Sequence, residues 1–308
     1  MEACHSRDVQ PAMTIRIGNA PCSWGVEFAD DPRNPPWTRV LDECRDAGYR
    51  GIELGPVGYM PEEPARVSDA FEARGLTMMA GVVFRPFHDP SACDDVMDGA
   101  RRTAAALKAH GAPHMVLIDS IAETRAPTAG RPDEAVRMEK AEWNGFVARF
   151  RDAMRIGHDH GLDVSLHPHA AGFMDFQREV EDLLDALPDL NVCYDTGHAA
   201  YAGYDVTGFM ADHMDRITYV HFKDTDPAVK ARVIETRTGF YDACAQGIFC
   251  NLGDGEVDFP TVRQLLLDHG YEGWCTVEQD CDPEGPGSPM DDARVNRSYL
   301  ESIGFSNP

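Results

Sequence analysis

A short unit recurs five times along this chain and restricts the folds that are open to it. In each copy a stretch of helical character ends at a glycine, and an apolar, strand-like run follows. The junction glycines are Gly48, Gly75, Gly111, Gly161 and Gly270. Glycine adopts the left-handed conformation at a helix C-terminus without a Cβ penalty and turns the chain toward the next element. The sequence therefore predicts at least five helix-to-strand junctions.

Strand candidates can be placed throughout the chain, with helical patterns between them. The eight predicted strands are 14–19, 50–54, 77–84, 114–119, 162–167, 191–195, 217–221 and 274–278. One intervening helix shows an apolar stripe at i, i+3, i+4 and i+7, formed by Val180, Leu183, Leu184 and Leu187. Such alternation indicates a parallel sheet, and eight units match an α/β fold of the closed (β/α)8 TIM-barrel type. An open doubly wound sheet is the alternative, but the turn at 19–25 lacks a phosphate-binding fingerprint.

The domain organisation is predicted to be simple. Residues 1–13 lack the hydrophobic segment of a secretory signal and are predicted to be a disordered N-terminal extension. Residues 14–308 then form a single barrel domain, because no linker-like stretch divides them. The main irregularity is an insert at 224–257, after the seventh predicted strand. Inserts on that face of a barrel usually build the substrate pocket, so we expect this one to cover the site.

Composition restricts the partners of the chain. Fifty-two acidic residues against 28 basic ones give a formal net charge of −24. This charge opposes binding to nucleic acid or to an anionic membrane surface. The nine cysteines are odd in number and include no C-x-x-C pair, and no apolar stretch approaches the length of a bilayer span. The sequence therefore predicts a cytoplasmic protein with a small-molecule substrate.

Four apolar runs end in side chains of the kind that bind metals. The runs are 164–169, 192–198, 217–224 and 275–280, and the residues at their ends are His167, His169, Asp195, His221 and Glu278. Ligands bind at this end of the sheet in parallel α/β folds. Imidazole and carboxylate groups gathered there could hold a divalent cation, with Mn²⁺, Co²⁺, Zn²⁺ or Fe²⁺ suited better than Ca²⁺.

Each of these residues also has a purely structural interpretation. Asp195 could cap a helix, because aspartate is favoured at that position. His221 could be a buried core histidine with its hydrogen bonds satisfied. Lys223 and Asp224 could form a surface ion pair, although Lys223 shares one side of an extended strand with His221. His198 could bind substrate or orient a metal ligand.

Six motifs together resemble one family of barrels. They lie at 19–26, 52–56, 166–169, 194–198, 220–224 and 253–259. Their combination resembles the xylose-isomerase-like TIM barrel superfamily and, within it, the inosose dehydratase (2-keto-myo-inositol dehydratase) group. The resemblance covers about residues 14–303. The D-T-G-H and H-x-K-D pieces are shared widely across the superfamily, whereas the pieces at 19–26 and 253–259 are more specific.

The resemblance implies one divalent metal at the barrel mouth. Its ligands would be His167, Asp195, His221 and Glu278, with His169 as the alternative to His167. Mn²⁺ or Co²⁺ is the expected ion, and Zn²⁺, Fe²⁺ and Mg²⁺ stay open. Epimerase relatives carry a glutamate at the position of His167 and use it as one of two acid–base carboxylates. Its replacement favours elimination over epimerisation.

The activity implied is that of a metal-dependent lyase, a dehydratase acting on a keto-inositol or keto-sugar. It would remove the proton α to the ketone and then eliminate the β-hydroxyl. The candidates for proton transfer are Lys223, His169, His198 and Glu278. The candidates for substrate binding are Trp24, Glu53, His88, Arg237 and Phe240, although Trp24 could instead plug the barrel mouth.

Other activities begin with the same proton abstraction. A ketose isomerase or epimerase is one alternative. The metal-bearing subunit of an enzyme that cleaves keto-glycosides, of the C-glycoside deglycosidase kind, is another. A non-catalytic sugar-binding barrel and a DNA-repair endonuclease are the alternatives of other classes, and the net charge of −24 opposes the endonuclease. Assembly with further copies of the chain stays open.

Overall fold

Strands and helices alternate along the chain in a computed structural model, which describes residues 15–280 and 287–305. The predicted extension at 1–13 lies outside the described residues. The strands are β1 Ile15–Asn19, β2 Gly51–Ile52, β3 Thr77–Met78, β4 Ala80–Arg85, β5 His114–Asp119, β6 Asp163–Leu166, β7 Asn191–Asp195, β8 Ile217–Phe222, β9 Asp224–Thr225, β10 Phe249–Cys250 and β11 Gly273–Val277. The helices are α1 Trp37–Asp46, α2 Pro64–Glu72, α3 Cys93–His110, α4 Lys140–Asp159, α5 Gln177–Ala186, α6 Thr196–Ala202, α7 Val206–His213, α8 Pro227–Glu235, α9 Phe240–Ala245, α10 Phe259–Asp268 and α11 Pro289–Ser302.

The parallel strands form one sheet in the order β3-β2-β1-β11-β8-β7-β6-β5-β4. Its two edge strands, β3 and β4, are separated only by Met79 and therefore form one interrupted barrel strand. The Met79 amide donates to Ile52 and the Leu54 amide donates to Ala80, so this strand also bonds to β2. The ring of strands closes, and the predicted TIM-barrel architecture is confirmed.

The five junction glycines adopt the conformation that the sequence predicted. Their φ angles are +96° at Gly48, +61° at Gly75, +67° at Gly111, +80° at Gly161 and +73° at Gly270. A side chain is strained in this region of φ, ψ space. The repeating unit therefore reports the backbone geometry of the helix-to-strand turns.

Apolar residues form a plug inside the barrel. The plug is a buried cluster that includes Met79, Tyr219 and Trp274. A Cβ at Gly18 would collide with Met79, and one at Gly51 would collide with both Met79 and Trp274, so these glycines make room for the plug. Outside the ring, the predicted stripe of α5 is buried as expected. The plug fills the interior of the barrel and leaves the C-terminal ends of the strands for polar side chains.

The predicted insert at 224–257 has its own secondary structure. Strands β9 and β10 pair antiparallel, and α8 and α9 lie between them. Asp224 holds the end of the insert: its carboxylate accepts hydrogen bonds from the amides of Thr225, Gly253, Gly255 and Val257, at 2.9–3.0 Å. A Cβ at Gly255 would collide with this carboxylate. Asp224 is therefore a loop anchor and not a surface ion-pair partner of Lys223.

Candidate metal centre

Four side chains from four strand ends meet at the C-terminal mouth of the barrel. His167 follows β6, Asp195 ends β7, His221 lies in β8 and Glu278 follows β11. One ligand-type atom from each lies within 4.8 Å of the others. All four residues are buried, with at most 8 % of their surface exposed. The structure thus brings together the four predicted ligands, whereas His169 belongs to no such group within the described residues.

Unpaired polar atoms in this group fit a bound cation. Oδ2 of Asp195 and Nδ1 of His221 face other members of the group, are buried and have no hydrogen-bond partner among the described residues. Leaving such atoms unpaired costs roughly 1–3 kcal/mol each, so native structures normally satisfy them. Two imidazoles and two carboxylates form a donor set suited to a divalent transition metal. The residues present therefore fit a metal ion.

Asp195 combines both functions that its sequence context suggests. One carboxylate oxygen, Oδ1, accepts a hydrogen bond of 2.7 Å from the His198 amide and so caps α6. The other, Oδ2, lies 3.5 Å from Nε2 of His167 and points into the group of four. Burial raises the pKa of Asp195, but Lys223 and His167 outweigh it, and the pKa falls below its usual value. The cap thereby fixes the direction of a charged ligand oxygen.

His221 is oriented from behind by a residue predicted to bind substrate. Its Nε2 lies 3.0 Å from Oε1 of Glu53, which also accepts a 3.0 Å hydrogen bond from the Tyr219 hydroxyl. Glu53 is buried beneath His221, with 1 % of its surface exposed. Its carboxylate requires the proton of His221 to lie on Nε2, which leaves Nδ1 to face Glu278 at 3.1 Å. Glu53 thus contacts a candidate metal ligand from the buried side, and its binding to substrate stays a prediction.

Lys223 is a buried cation at the edge of the group. Its Nζ lies 3.0 Å from Asp280 Oδ2, 3.3 Å from Glu278 Oε2 and 3.6 Å from Asp195 Oδ2. Burial lowers the pKa of Lys223, but these three carboxylates outweigh it and raise the pKa well above its usual value. A metal ion nearby would lower the pKa of Lys223, and the three carboxylates oppose that effect. The ammonium ion is the form that this arrangement favours.

Two histidines flank Lys223 on the side away from the barrel plug. Nε2 of His198 lies 3.1 Å from Nζ of Lys223, within reach for direct proton exchange. Burial and then the charge of Lys223 hold the pKa of His198 well below its usual value. His169 donates from Nδ1 to the Ala170 carbonyl at 2.8 Å, and burial lowers its pKa to about 3. Both rings are therefore neutral at pH 7.

The two widely shared motifs bind each other directly. The Thr196 hydroxyl donates to the Lys223 carbonyl at 2.7 Å and accepts from the Lys223 amide at 3.1 Å. A Cβ at Gly197 would collide with the backbone and side chain of Lys223. The D-T-G-H segment and the H-x-K-D segment therefore form one rigid unit that carries two candidate ligands and both partners of the proton contact.

Two residues near Lys223 were missed as functional candidates. Asp280 lies 3.0 Å from the ammonium, and Cys22, Glu278 and Asp280 have ligand-type atoms within 4.8 Å of one another. Burial raises the pKa of Cys22 well above its usual value, so this side chain is a thiol. Asp280 could have been found by alternation, because it lies two residues beyond Glu278 in an extended segment. Nothing in the sequence ties Cys22 to the end of β11.

The remaining predicted substrate-binding residues lie at different depths. Trp24 is buried in the main core and donates its indole N–H to Glu43 of α1 at 2.7 Å, so this donor faces away from the barrel mouth. Nδ1 of His88 bonds to Asp119 at 2.8 Å. Arg237 has a side chain that is 67 % exposed and pairs with Glu134. The structure does not bring these three residues to the group of four.

Phe240, the fifth predicted substrate-binding residue, does reach the site. Its ring centroid lies 5.7 Å from that of His169 and 6.5 Å from that of His198. From the end of the same insert, Phe249 lies 5.0 Å from His198 and has the ammonium of Lys223 5.0 Å from its ring centre. The insert therefore lines the side of the site that holds the histidines and Lys223.

The fold and this site define a family. Residues 41–303 match the xylose isomerase-like TIM barrel family, and the chain belongs to it. Among the described residues, no helix combines the length and the apolar character needed to cross a membrane.

Individual relatives narrow the class further. The chain is 30% identical over 297 residues to an inosose dehydratase of Bacillus licheniformis, covering 93% of this chain and 95% of the relative. It is 29% identical over 296 residues to the rhizopine catabolism protein MocC of Rhizobium meliloti, covering 94% and 88%. A solved structure of the IOLI protein with a zinc atom superposes with a TM-score of 0.72 at 12% identity, covering 94% and 98%. At this low identity, the superposition supports the fold alone. The curated relatives support an enzymatic function for this chain.

Proposed function

We propose that this protein is a metal-dependent lyase that removes water from a keto-inositol or a related keto-sugar. The observation that carries the proposal is the group His167, Asp195, His221 and Glu278, four buried ligand-type residues with two unpaired polar atoms that face the group. The similarity to inosose dehydratases over most of the chain supports the substrate class. His167 is the proposed ligand from the end of β6, because His169 lies outside the group.

The metal and the protein would divide the chemistry between them. A bound divalent ion, with Mn²⁺ or Co²⁺ preferred, would polarise the ketone and an adjacent hydroxyl. Glu53 would hold His221 in the tautomer that a ligand requires, as residues behind metal-binding histidines do. Asp195 would be held in place by its bond to the start of α6. These contacts keep the ligand atoms fixed before a cation arrives.

Lys223 and His198 would handle the protons. The ammonium form of Lys223 can donate a proton to a departing hydroxyl, and the 3.1 Å contact with His198 allows that proton to be replaced. Asp280 would keep Nζ beside the site through its 3.0 Å contact. His169 has a free Nε2, because its Nδ1 bonds to Ala170, and this lone pair is available to accept a proton. Glu278 is the fourth candidate, and its carboxylate is held ionised by His221 and Lys223.

The insert would shield these steps from water. Phe240 and Phe249 pack on the histidines at the side of Lys223, and we propose that the insert 224–257 acts as the wall or cover of the pocket. Residues 14–308 would then work as one catalytic domain, and we retain the prediction of a cytoplasmic location. A keto-glycoside-cleaving activity is the second candidate, because Phe84, which packs on His169, also lines a cavity with mainly apolar and aromatic walls that could take an aglycone.

One experiment separates these activities. The protein is stripped with a chelator, reloaded with Mn²⁺ or Co²⁺, and incubated with keto-inositols and keto-glycosides in deuterated water. We expect metal-dependent loss of water, seen by NMR and by the ultraviolet absorbance of an enone or dione. Inversion at the α-carbon without water loss would identify an epimerase instead, and release of an aglycone would identify a glycoside-cleaving enzyme. Turnover that is unaffected by chelation would contradict the proposal.

A further inference from the structure

An open cavity of about 260 Å³ lies at the mouth of the barrel, where its wall residue Phe84 packs on His169. Five of its eight lining residues are apolar or aromatic: Phe28, Phe84, Pro86, Ile121 and Tyr241. Arg85, Asp95 and Ser120 are the polar ones and supply few hydrogen-bonding groups for a polyol. The cavity therefore differs in chemistry from the charged group at the barrel mouth.

Two aromatic side chains of this cavity are unusually exposed. Phe28 has 50% of its surface exposed and Tyr241 has 62%. Among the described residues, the other large hydrophobic side chains that are similarly exposed are Val136 and Val295, and neither is aromatic. A single exposed apolar residue needs no explanation, but two aromatic rings that line the same cavity form a binding surface.

Aromatic side chains on two walls of the cavity are connected to His169 by ring contacts. The ring centroid of Phe84 lies 5.3 Å from that of His169. On the insert side, Tyr241 lies 5.9 Å from Phe240, which lies 5.7 Å from His169. The His169 ring in turn lies 5.8 Å from that of His167, a candidate ligand. The rings of Phe84 and His169 therefore stand between the cavity and His167, and a substrate held at the metal centre would extend past these rings to place a substituent in the cavity.

Size and polarity indicate what the cavity can hold. A dry cavity of about 150 Å³ is enough to bind benzene, so about 260 Å³ can hold an aromatic ring with substituents. Arg85 provides a polar edge: its Nε lies 3.1 Å from Asp95, and its side chain is 31% exposed. A guanidinium at such an edge can donate a hydrogen bond to a ring hydroxyl.

We propose that this cavity is a subsite for an aromatic substituent, so that the preferred substrate is a keto-sugar or keto-inositol that carries an aryl group. The proposal rests on the metal-dependent activity proposed above, and it adds the class of group that the substrate carries. Phe28 and Tyr241 would contact the aromatic ring, while the keto-sugar part reaches His167 and Lys223. The insert would then determine specificity as well as cover the site.

The test compares a benzyl keto-glucoside, here called the phenyl compound, with the matching ethyl keto-glucoside on the metal-loaded protein. The two alkoxide groups have nearly equal basicity, so a difference in rate reports the aromatic ring and not the leaving group. We expect a kcat/KM that favours the phenyl compound by at least about tenfold. Phe28→Ala and Tyr241→Ala should each reduce this preference by about threefold to tenfold, the contribution of one aromatic contact. Tyr241→Phe should retain it. Val295→Ala removes exposed apolar surface outside the cavity and is the matched control.

Direct binding distinguishes failure of this proposal from failure of the proposed activity. Saturation-transfer NMR with the phenyl compound reports binding even if neither compound is converted. Contacts to the phenyl protons that disappear in the Phe28→Ala, Tyr241→Ala double variant, but persist in Val295→Ala, would support the subsite. Equal kcat/KM for both compounds would overturn it, as would phenyl contacts that survive in the double variant.

Discussion

Replacing Glu53 tests whether this residue serves the metal or the substrate. Oε1 of Glu53 lies 3.0 Å from Nε2 of His221, and both residues are at most 1% exposed, so water cannot replace the contact easily. Loss of such a partner behind a metal-binding histidine typically weakens metal affinity by roughly 10–100-fold, or about 1.4–2.7 kcal/mol. Glu53→Gln keeps an acceptor oxygen but removes its charge, so we expect about tenfold. Glu53→Ala removes both, so we expect the upper end of the range.

Metal affinity is measured by titrating Mn²⁺ or Zn²⁺ against a competing chelator, and turnover is then followed at saturating metal. Tyr219→Phe is the matched control. It removes the other hydrogen bond to Oε1, which is also 3.0 Å long, and leaves the contact between Glu53 and His221 in place. Its effect on metal affinity should be smaller than that of Glu53→Gln. The KM of the metal-saturated Glu53→Gln enzyme should change much less than its metal affinity.

The opposite pattern would refute this reasoning. Metal affinity within twofold of wild type, together with a large increase in KM, would return Glu53 to the substrate-binding role that its strand-end position suggested. Equal effects of Glu53→Ala and Tyr219→Phe would show that the Oε1 position matters only for packing.

Three further changes have distinct expected results. Lys223→Met should retain bound metal, measured by elemental analysis, yet lower kcat by roughly two to four orders of magnitude, because it removes the proton contact with His198. Gly197→Ala should lower the free energy of unfolding, measured in urea, by about 1–3 kcal/mol, because its Cβ would collide with Lys223. Gly145→Ala on α4 is the control and should not lower it, because its Cβ meets only the end of one arginine side chain. Burial raises the pKa of Asp175 to about 7, so the folded state holds a proton that the unfolded state releases near pH 4. Wild-type stability should therefore fall relative to Asp175→Asn by up to about 1.4 kcal/mol per pH unit between about pH 4 and 7, and a parallel pH dependence of both proteins in thermal unfolding would contradict this assignment.

The parts of the structure that depend on local chain geometry could be predicted from the sequence. The junction glycines require left-handed turns, and the apolar runs require buried strands, so the barrel follows from their alternation. Asp195 and His221 lie in paired strands and face each other in the register of β7 and β8. Lys223 reaches the same site because it lies two residues beyond His221 on an extended segment.

Contacts across the barrel could not be predicted in this way. Glu53 meets His221 across 168 positions of sequence, and no local pattern indicates that a carboxylate after β2 lies beneath a histidine of β8. The sequence left open a surface ion pair of Asp224 with Lys223, whereas the Asp224 oxygens anchor the far end of the insert. The direction of Arg237 depends on a backbone with φ of +56°, which a non-glycine residue rarely adopts.

The charges at the barrel mouth explain why a divalent cation suits this site. Asp195, Glu278 and Asp280 place three carboxylates around one ammonium, that of Lys223. One ammonium cannot balance three ionised carboxylates. Burial lowers the pKa of His221, but Cys193, Glu278 and Glu53 outweigh it and raise the pKa well above its usual value. His221 lies 3.1 Å from Glu278 and 3.0 Å from Glu53, so its proton can supply part of the missing positive charge. A divalent cation held by His167, Asp195, His221 and Glu278 would take the place of that proton, because a metal binds the deprotonated ring, and Lys223 would keep Asp280 as its carboxylate partner.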